Sequence, residues 1–181
     1  MHHVSNLGLR QEGLSLIEVL VAFVILAIGM LGIASMLILS SKANNSSYAK
    51  QQAVQCAYDI FDKMRANYQA AINGNYNISN INSMGTPTLP PTPGTLCNQS
   101  PCSSPQLATY DTWYWLTYDV GKLPNGSGSI TATPAPGSSG NTIITVTIQW
   151  DDSLAINLVG ASNTPAPTNP NYVQLSIQSQ L

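Results

Sequence analysis

Glu18 is the only charge in residues 14–39, LSLIEVLVAFVILAIGMLGIASMLIL. A carboxylate inside an apolar helix is costly unless it is paired or reaches the headgroups, so such an acid is by default a functional residue. Its natural partner is a cation equally costly in hydrocarbon, because pairing the two compensates both. The plainer alternative is that Glu18, near the start of the run, simply reaches the headgroups. Few other residues offer chemistry. Cys97 and Cys102 lie in a Pro- and Ser-rich stretch that could close into a small loop. A disulfide there implies an oxidising compartment, and two free thiols are the other reading. Cys56 falls in a helical pattern and reads as a small buried hydrophobe. Trp113, Trp115 and Trp150 could form a sugar-binding platform, although Trp in a small domain more often packs in the core. Asp151 and Asp152 could be an acid pair or a cation site, and read better as a solvated turn at a strand end.

The apolar run sets the organisation around these residues. Its uncharged part, residues 19–39, spans roughly 32 Å as a helix, close to the hydrocarbon thickness of a bilayer. A chain of 181 residues cannot easily enclose so long an all-round apolar helix, so the run reads as a membrane segment. The preceding MHHVSNLGLRQEG is not an ordinary secretory signal, since its small residue, Gly13, comes before the apolar stretch rather than after it. Arg10 favours keeping that leader cytoplasmic and sending the rest outward. Beyond Leu39 the stripe narrows: Ala49, Ala53, Cys56, Ala57, Ile60 and Met64 recur at spacings of three and four, with Lys50, Asp59, Asp62, Lys63 and Arg65 mainly elsewhere. Asp59 and Lys63 are spaced for an i,i+4 ion pair. The helix is expected to end near Asn67, at roughly 80 Å in all. Gly29, Gly32 and Ser35 would let a partner helix approach closely, though glycine is also ordinary in membrane helices.

The string EGLSLIEVLVAFVILAIGMLG resembles the N-terminus of type IV prepilins, in which a Gly, an acid five residues further on and an apolar run hold fixed spacing. The resemblance covers roughly residues 10–66. It implies that a membrane prepilin peptidase cuts between Gly13 and Leu14, that the new amino group of Leu14 is methylated, and that Glu18 pairs with the Leu14 amino group of a neighbouring subunit. Leu14 departs from the usual Phe, and Glu12 from the usual basic or neutral leader residue. The resemblance also implies an α+β pilin fold: one long N-terminal helix, transmembrane then amphipathic, packed on a small antiparallel sheet. The expected division is a cleaved leader at 1–13, an anchor and filament-core helix at 14–39, its amphipathic continuation at 40–67, and a globular head at 68–181.

Within the head, residues 67–106 are rich in Asn, Pro, Gly, Ser and Thr and read as a long loop. LATYDTWYWLTYDVGKLP has strand-like composition, but Tyr110, Trp113, Leu116 and Val120 recur at helical spacing, so a short helix is expected. Strands are expected at 128–133, 142–150 and 172–179, with a further one at 154–159. Their apolar face should lie on Ala53, Ala57 and Ile60. The order MRANY, a cysteine-bearing loop, a Trp-containing segment, LPNGSG and ITVTIQWDD is similar to minor pilins of the PilV type, also called pilus modification proteins.

Composition narrows the function. Charged residues are 8% of the chain and the formal net charge is −2. After Arg65 the only basic residue is Lys122, so the head offers no cationic surface and nucleic-acid binding is disfavoured. Both histidines, His2 and His3, precede the expected cut, leaving no imidazole for base catalysis or zinc. With no phosphate-cradling loop or nucleophile motif either, no enzyme, metal or cofactor is expected. The expectation is a minor pilin acting in pilus assembly. A major pilin, a secretion pseudopilin and a tip adhesin are the alternatives. Expected partners are other pilins through the N-terminal helix, the prepilin peptidase and an inner-membrane assembly platform. The chain would sit in the inner membrane with its head in the periplasm, and at the cell surface once assembled.

Overall fold

The computed structural model describes residues 15–81, 89–136, 141–153 and 171–181. These fall into two compact units, one ending at Ser40 and one comprising Ser41–Leu181. A single helix, α1 (Leu16–Ala66, 51 residues), contributes to both. No Pro interrupts it, which is why its backbone ladder runs unbroken. In the first unit every described residue is exposed, including Leu20, Phe23, Ile28, Leu31 and Leu37. Side chains of this type, apolar on all sides of a helix, leave no solvent-facing stripe.

In the second unit the helix becomes one-sided. Ala53, Cys56, Ala57, Ile60, Phe61 and Met64 are buried, at the spacing of three and four that brings side chains to one face. α1 stops at Ala66, a residue short of the expected end. Asn67 then turns the chain into α2 (Tyr68–Ile72).

Four strands form an antiparallel sheet in the order β1 (Ile78–Ser79), β2 (Ser127–Pro134), β3 (Thr142–Asp151) and β4 (Tyr172–Gln180). Alternation decides which face of β3 is buried: Ile144, Val146, Ile148 and Trp150 point into the core. Each such burial is worth about 1.5–3 kcal/mol. The register sets Ile130 beside Val146 and Ile177 beside Val146 on its other side, so one apolar row crosses the three long strands. This row shares a single core with the α1 face and with Ala108, Trp115, Leu116, Val120 and Leu123. The architecture is the expected α+β arrangement of a long helix on a small antiparallel sheet.

The 107–124 segment is helical, as its spacing suggested, and longer than expected. α3 (Ser104–Tyr114) passes into a π-helical turn (Trp115–Asp119) and then a 3₁₀ turn (Val120–Lys122). Its start is fixed by Pro105 and by Gln106 Oε1, which accepts from the Ser103 N–H at 2.9 Å. The widened turn places Trp115 and Leu116 together in the core. It is followed by the LPNGSG turn, where Asn125 adopts a left-handed φ of 48°.

Two sequence expectations are corrected. Residues 67–106 are not simply a loop, because α2 and β1 lie within them and Tyr76, 1% exposed, anchors them to the core. Composition hid this, since a single buried aromatic and a two-residue strand leave no periodicity to detect. Second, Lys63 does not pair with Asp59. Its Nζ lies 3.9 Å from Asp119 and 4.8 Å from the centre of the Tyr114 ring, both brought over α1 by the segment that follows Ser103. The expected strand at 154–159 lies outside the described residues.

Candidate functional site

Gly13 and Leu14 lie outside the described residues, so the site is built from Glu18 onward. Ser15 O accepts from the Glu18 N–H at 2.9 Å and from the Val19 N–H at 3.3 Å, which starts the helix at this point. Glu18 therefore stands in the first turn, where a carboxylate is favoured by the helix dipole. It shares a face with Ala22 and Leu26, at i+4 and i+8. Among the described residues no hydrogen bond or ion pair engages its carboxylate. Further along, a Cβ built on Gly29 or Gly32 would meet nothing within 4 Å, and Ser35 Oγ donates to Leu31 O at 2.9 Å. The unit is thus an apolar rod with one acid near its start and small residues midway. It offers surfaces for packing.

The head is held by a few polar fastenings. Trp115 Nε1 donates to Cys56 O at 2.8 Å, tying the π-helical turn to α1. Tyr76 Oη donates to Asp111 Oδ2 at 2.7 Å, while Asn67 Nδ2 donates to Tyr76 Oη at 3.2 Å and to Ser104 O at 2.8 Å. This network joins the end of α1, the segment before β1 and α3. Burial pushes the Asp111 carboxyl above the usual carboxylate range, against the opposing effects of the Tyr76 hydrogen bond and Lys63. The Tyr76 hydroxyl is pushed up too, chiefly by burial and then by its bond to Asp111. Asp119 is raised by burial and held back by Lys63 and Lys122. Burial, with Asp119 and Asp59 adding to it, pushes the free Cys56 thiol up to about 11, so at neutral pH it is an inert packing group. Cys97 and Cys102 form a disulfide with their Cα atoms 5.5 Å apart.

The three Trp residues separate. Trp115 and Trp150 are core, at 0% and 1% exposure. Trp113 instead joins Tyr110, Tyr114 and Tyr118 in a surface cluster, with Trp113 edge-on to Tyr118 at 5.6 Å and Tyr114 at 4.9 Å from Tyr118. Sequence reasoning missed this grouping, although the spacing of Tyr110, Trp113, Tyr114 and Tyr118 along one helix could have found it. Asp151 and Asp152 do not act as a pair. Asp151 accepts from the Ser153 N–H at 2.9 Å, as a turn acid does, while Asp152 accepts from Ser46 Oγ at 2.9 Å and so touches α1. Among the described residues no group of three His, Cys, Asp or Glu could hold a metal ion.

A helix long and apolar enough to cross a membrane, exposed over that length, together with an α+β head, is consistent with a membrane-anchored subunit. Family comparison sharpens that class. Residues 8–34 match the prokaryotic N-terminal methylation motif, and residues 36–113 match the family of the type IV pilin Tt1218. The two matches together support a type IV pilin. Searches of curated proteins and of solved structures returned no match. The family's members are structural subunits, processed by prepilin peptidase and assembled with other pilins. A membrane-anchored form that is later built into a pilus fits both the motif and the apolar helix.

Proposed function

We propose that the chain is a minor subunit of a type IV pilus, acting where the filament is primed, capped or modified. The observation that carries the subunit reading is the fully exposed apolar helix with a single acid in its first turn. The minor position is supported by the order of head motifs shared with PilV-type proteins. In this reading residues 1–13 are removed by cleavage between Gly13 and Leu14, and Leu14 is methylated on its new amino group. Residues 14–39 anchor the chain and then line the filament core, 40–67 support the head, and 68–181 form it. Glu18 pairs with the Leu14 amino group of a neighbouring subunit, so that each charge neutralises one that hydrocarbon would otherwise penalise. Before assembly the head faces the periplasm and the chain meets the inner-membrane assembly platform; afterwards it is at the surface. The charge-poor head gives nucleic acid no purchase.

Mass spectrometry of purified filaments tests this directly. The expected result is a chain beginning at methylated Leu14, in trace amount relative to the major subunit. A filament made mostly of this chain would make it the major pilin, and its absence from filaments in cells that secrete normally only when they carry it would make it a pseudopilin. The Tyr110, Trp113, Tyr114 and Tyr118 cluster favours a second reading, a tip module that binds a ligand through aromatic stacking. Replacing Trp113 and Tyr118 with Ala would abolish surface attachment while leaving piliation intact if that reading holds.

A further inference from the structure

The buried stripe of α1 begins with a lysine. Lys42, Ser46, Ala49 and Ala53 succeed one another at four, three and four residues, which sets them on one face; the residues between Lys42 and Ala49, Ser46 apart, are exposed. Lys42 is 3% exposed, and among the described residues its Nζ has neither a hydrogen-bond nor an ion-pair partner. A lysine just past an apolar run ordinarily carries its ammonium out to water on a flexible stem. A buried one without a counter-charge is costly, and burial holds the Lys42 amine below its ordinary range. Such a group calls for an anion.

A cleft of about 250 Å³ lies on the same stretch of α1. Asn45, Tyr48 and Gln52 form one wall, Leu123 and Pro124 another, and Asp151 and Asp152 supply carboxylates. Asp152 accepts from Ser46 Oγ at 2.9 Å, and Ser46 follows Lys42 by one helical turn. A carboxylate of the cleft is thereby fixed close to the buried ammonium. Lys122, which also lines the cleft, is held 3.8 Å from Asp119. Among the described residues no ion pair engages Asp151 or Asp152.

We propose that Lys42 and Asp152 bind the headgroup of a zwitterionic phospholipid, its phosphate on the Lys42 ammonium and its primary ammonium, as in phosphatidylethanolamine, on the Asp152 carboxylate. Depth along the helix selects a lipid. Lys42 follows Leu39, the end of the apolar run, by three residues or about 4.5 Å of rise, and the headgroup layer outside the hydrocarbon is roughly 5–7 Å thick. Neighbouring carboxylates disfavour a purely anionic ligand, whereas a zwitterion answers both signs. A primary ammonium brings N–H donors to Asp152 that a quaternary one lacks. The inference rests on the membrane-anchored form and is independent of the subunit's place in the pilus.

Flotation of the full-length chain with phosphatidylcholine vesicles comes first, because it reads anchoring by residues 19–39 alone. Failure to float would remove the anchored form, and this site with it. The detergent-solubilised chain is then titrated with short-chain phosphatidylethanolamine, phosphatidylcholine, phosphatidylglycerol and inorganic phosphate, with retained ligand counted by native mass spectrometry. Phosphatidylethanolamine should bind at least about tenfold more tightly than the other three. Lys42→Gln should lose that binding and Lys42→Arg keep it, while Asp152→Asn should no longer distinguish phosphatidylethanolamine from phosphatidylcholine. Equal affinity for the three lipids, or unchanged phosphatidylethanolamine binding by Lys42→Gln, would overturn the proposal. Inorganic phosphate bound as well as the lipid would assign Lys42 to a free anion and overturn it too. A Lys42 that binds none of the four, and that carbodiimide joins to a carboxylate of another pilin in sheared filaments, would belong to a protein contact instead. Lys42→Gln removes a buried charge and should melt no earlier than wild type. Should Asp152→Asn melt early through loss of its Ser46 contact, the two Lys42 variants decide.

Discussion

At the scale of single residues, the polar groups that matter are those whose partners are fixed. Among the described residues no ion pair engages the Glu18 carboxylate, and its role is tested by removing the charge. Glu18→Ala should insert into the membrane normally, because the change only lowers the cost of burial, yet appear in sheared filaments at about a tenth of the wild-type level or less. Unchanged incorporation would refute the pairing. The two core tryptophans make a second comparison. Trp115 donates to Cys56 O, whereas Trp150 Nε1 has no hydrogen-bond partner among the described residues. Replacing each with Phe creates a similar cavity, so Trp115→Phe should cost about 1 kcal/mol more than Trp150→Phe in chemical denaturation. Asp111 gives the head a pH dependence. Its folded carboxyl is raised above the unfolded value, so the folded state holds the proton more tightly. The contribution is fully present below the unfolded pKa, about 3.9, and is lost as pH rises through the folded value. Asp119 acts in the same direction. Thermal melts across the mildly acid range should therefore show a smaller decline with rising pH for Asp111→Asn than for wild type.

Elements are stabilised here by local devices rather than by length. The Cys97–Cys102 disulfide closes a very short loop, with a sequence separation of 5. Chain entropy alone then predicts a contribution of about 2 kcal/mol, so the Cys97→Ser/Cys102→Ser variant should fold and melt earlier by that margin. The π-helical turn is the other device. It seats Trp115 against β2, where a Cβ on Gly128 would come within 2.6 Å of the indole. Gly128→Ala should accordingly cost about 1–3 kcal/mol through overpacking, measurable as a lower denaturation midpoint. A Gly128→Ala head as stable as wild type would mean that the indole shifts freely, which its 0% exposure and its bond to Cys56 argue against.

For the whole molecule, the two units have opposite relations to their surroundings. Up to Ser41 the described chain exposes apolar side chains throughout, while the head buries its own around α1, the 104–122 segment and the sheet. A chain of this kind requires a second environment for its helix, and membrane and filament core are the environments a pilin meets in turn. The expected consequence is poor solubility without detergent, reversed by deleting the apolar run. Aggregation that persists in a chain beginning at Ser41 would locate the sticky surface in the head, for which the aromatic cluster is the candidate.

Much of this was legible in the sequence, and the reason is physical. Apolar runs and helical or alternating spacing are one-dimensional records of burial, so α1, its amphipathic half and strands β2, β3 and β4 could all be read within a few residues. The family signature was legible too, because it lies in contiguous residues. Only the tertiary structure decided which long-range pairs form. Lys63 goes to Asp119 rather than Asp59, Asp152 to Ser46, Tyr76 to Asp111, and Trp113 leaves the other tryptophans for a surface cluster. The same holds for β1, too short to leave a pattern. Strand order and ladder register arise from packing among distant segments, and no local spacing encodes them.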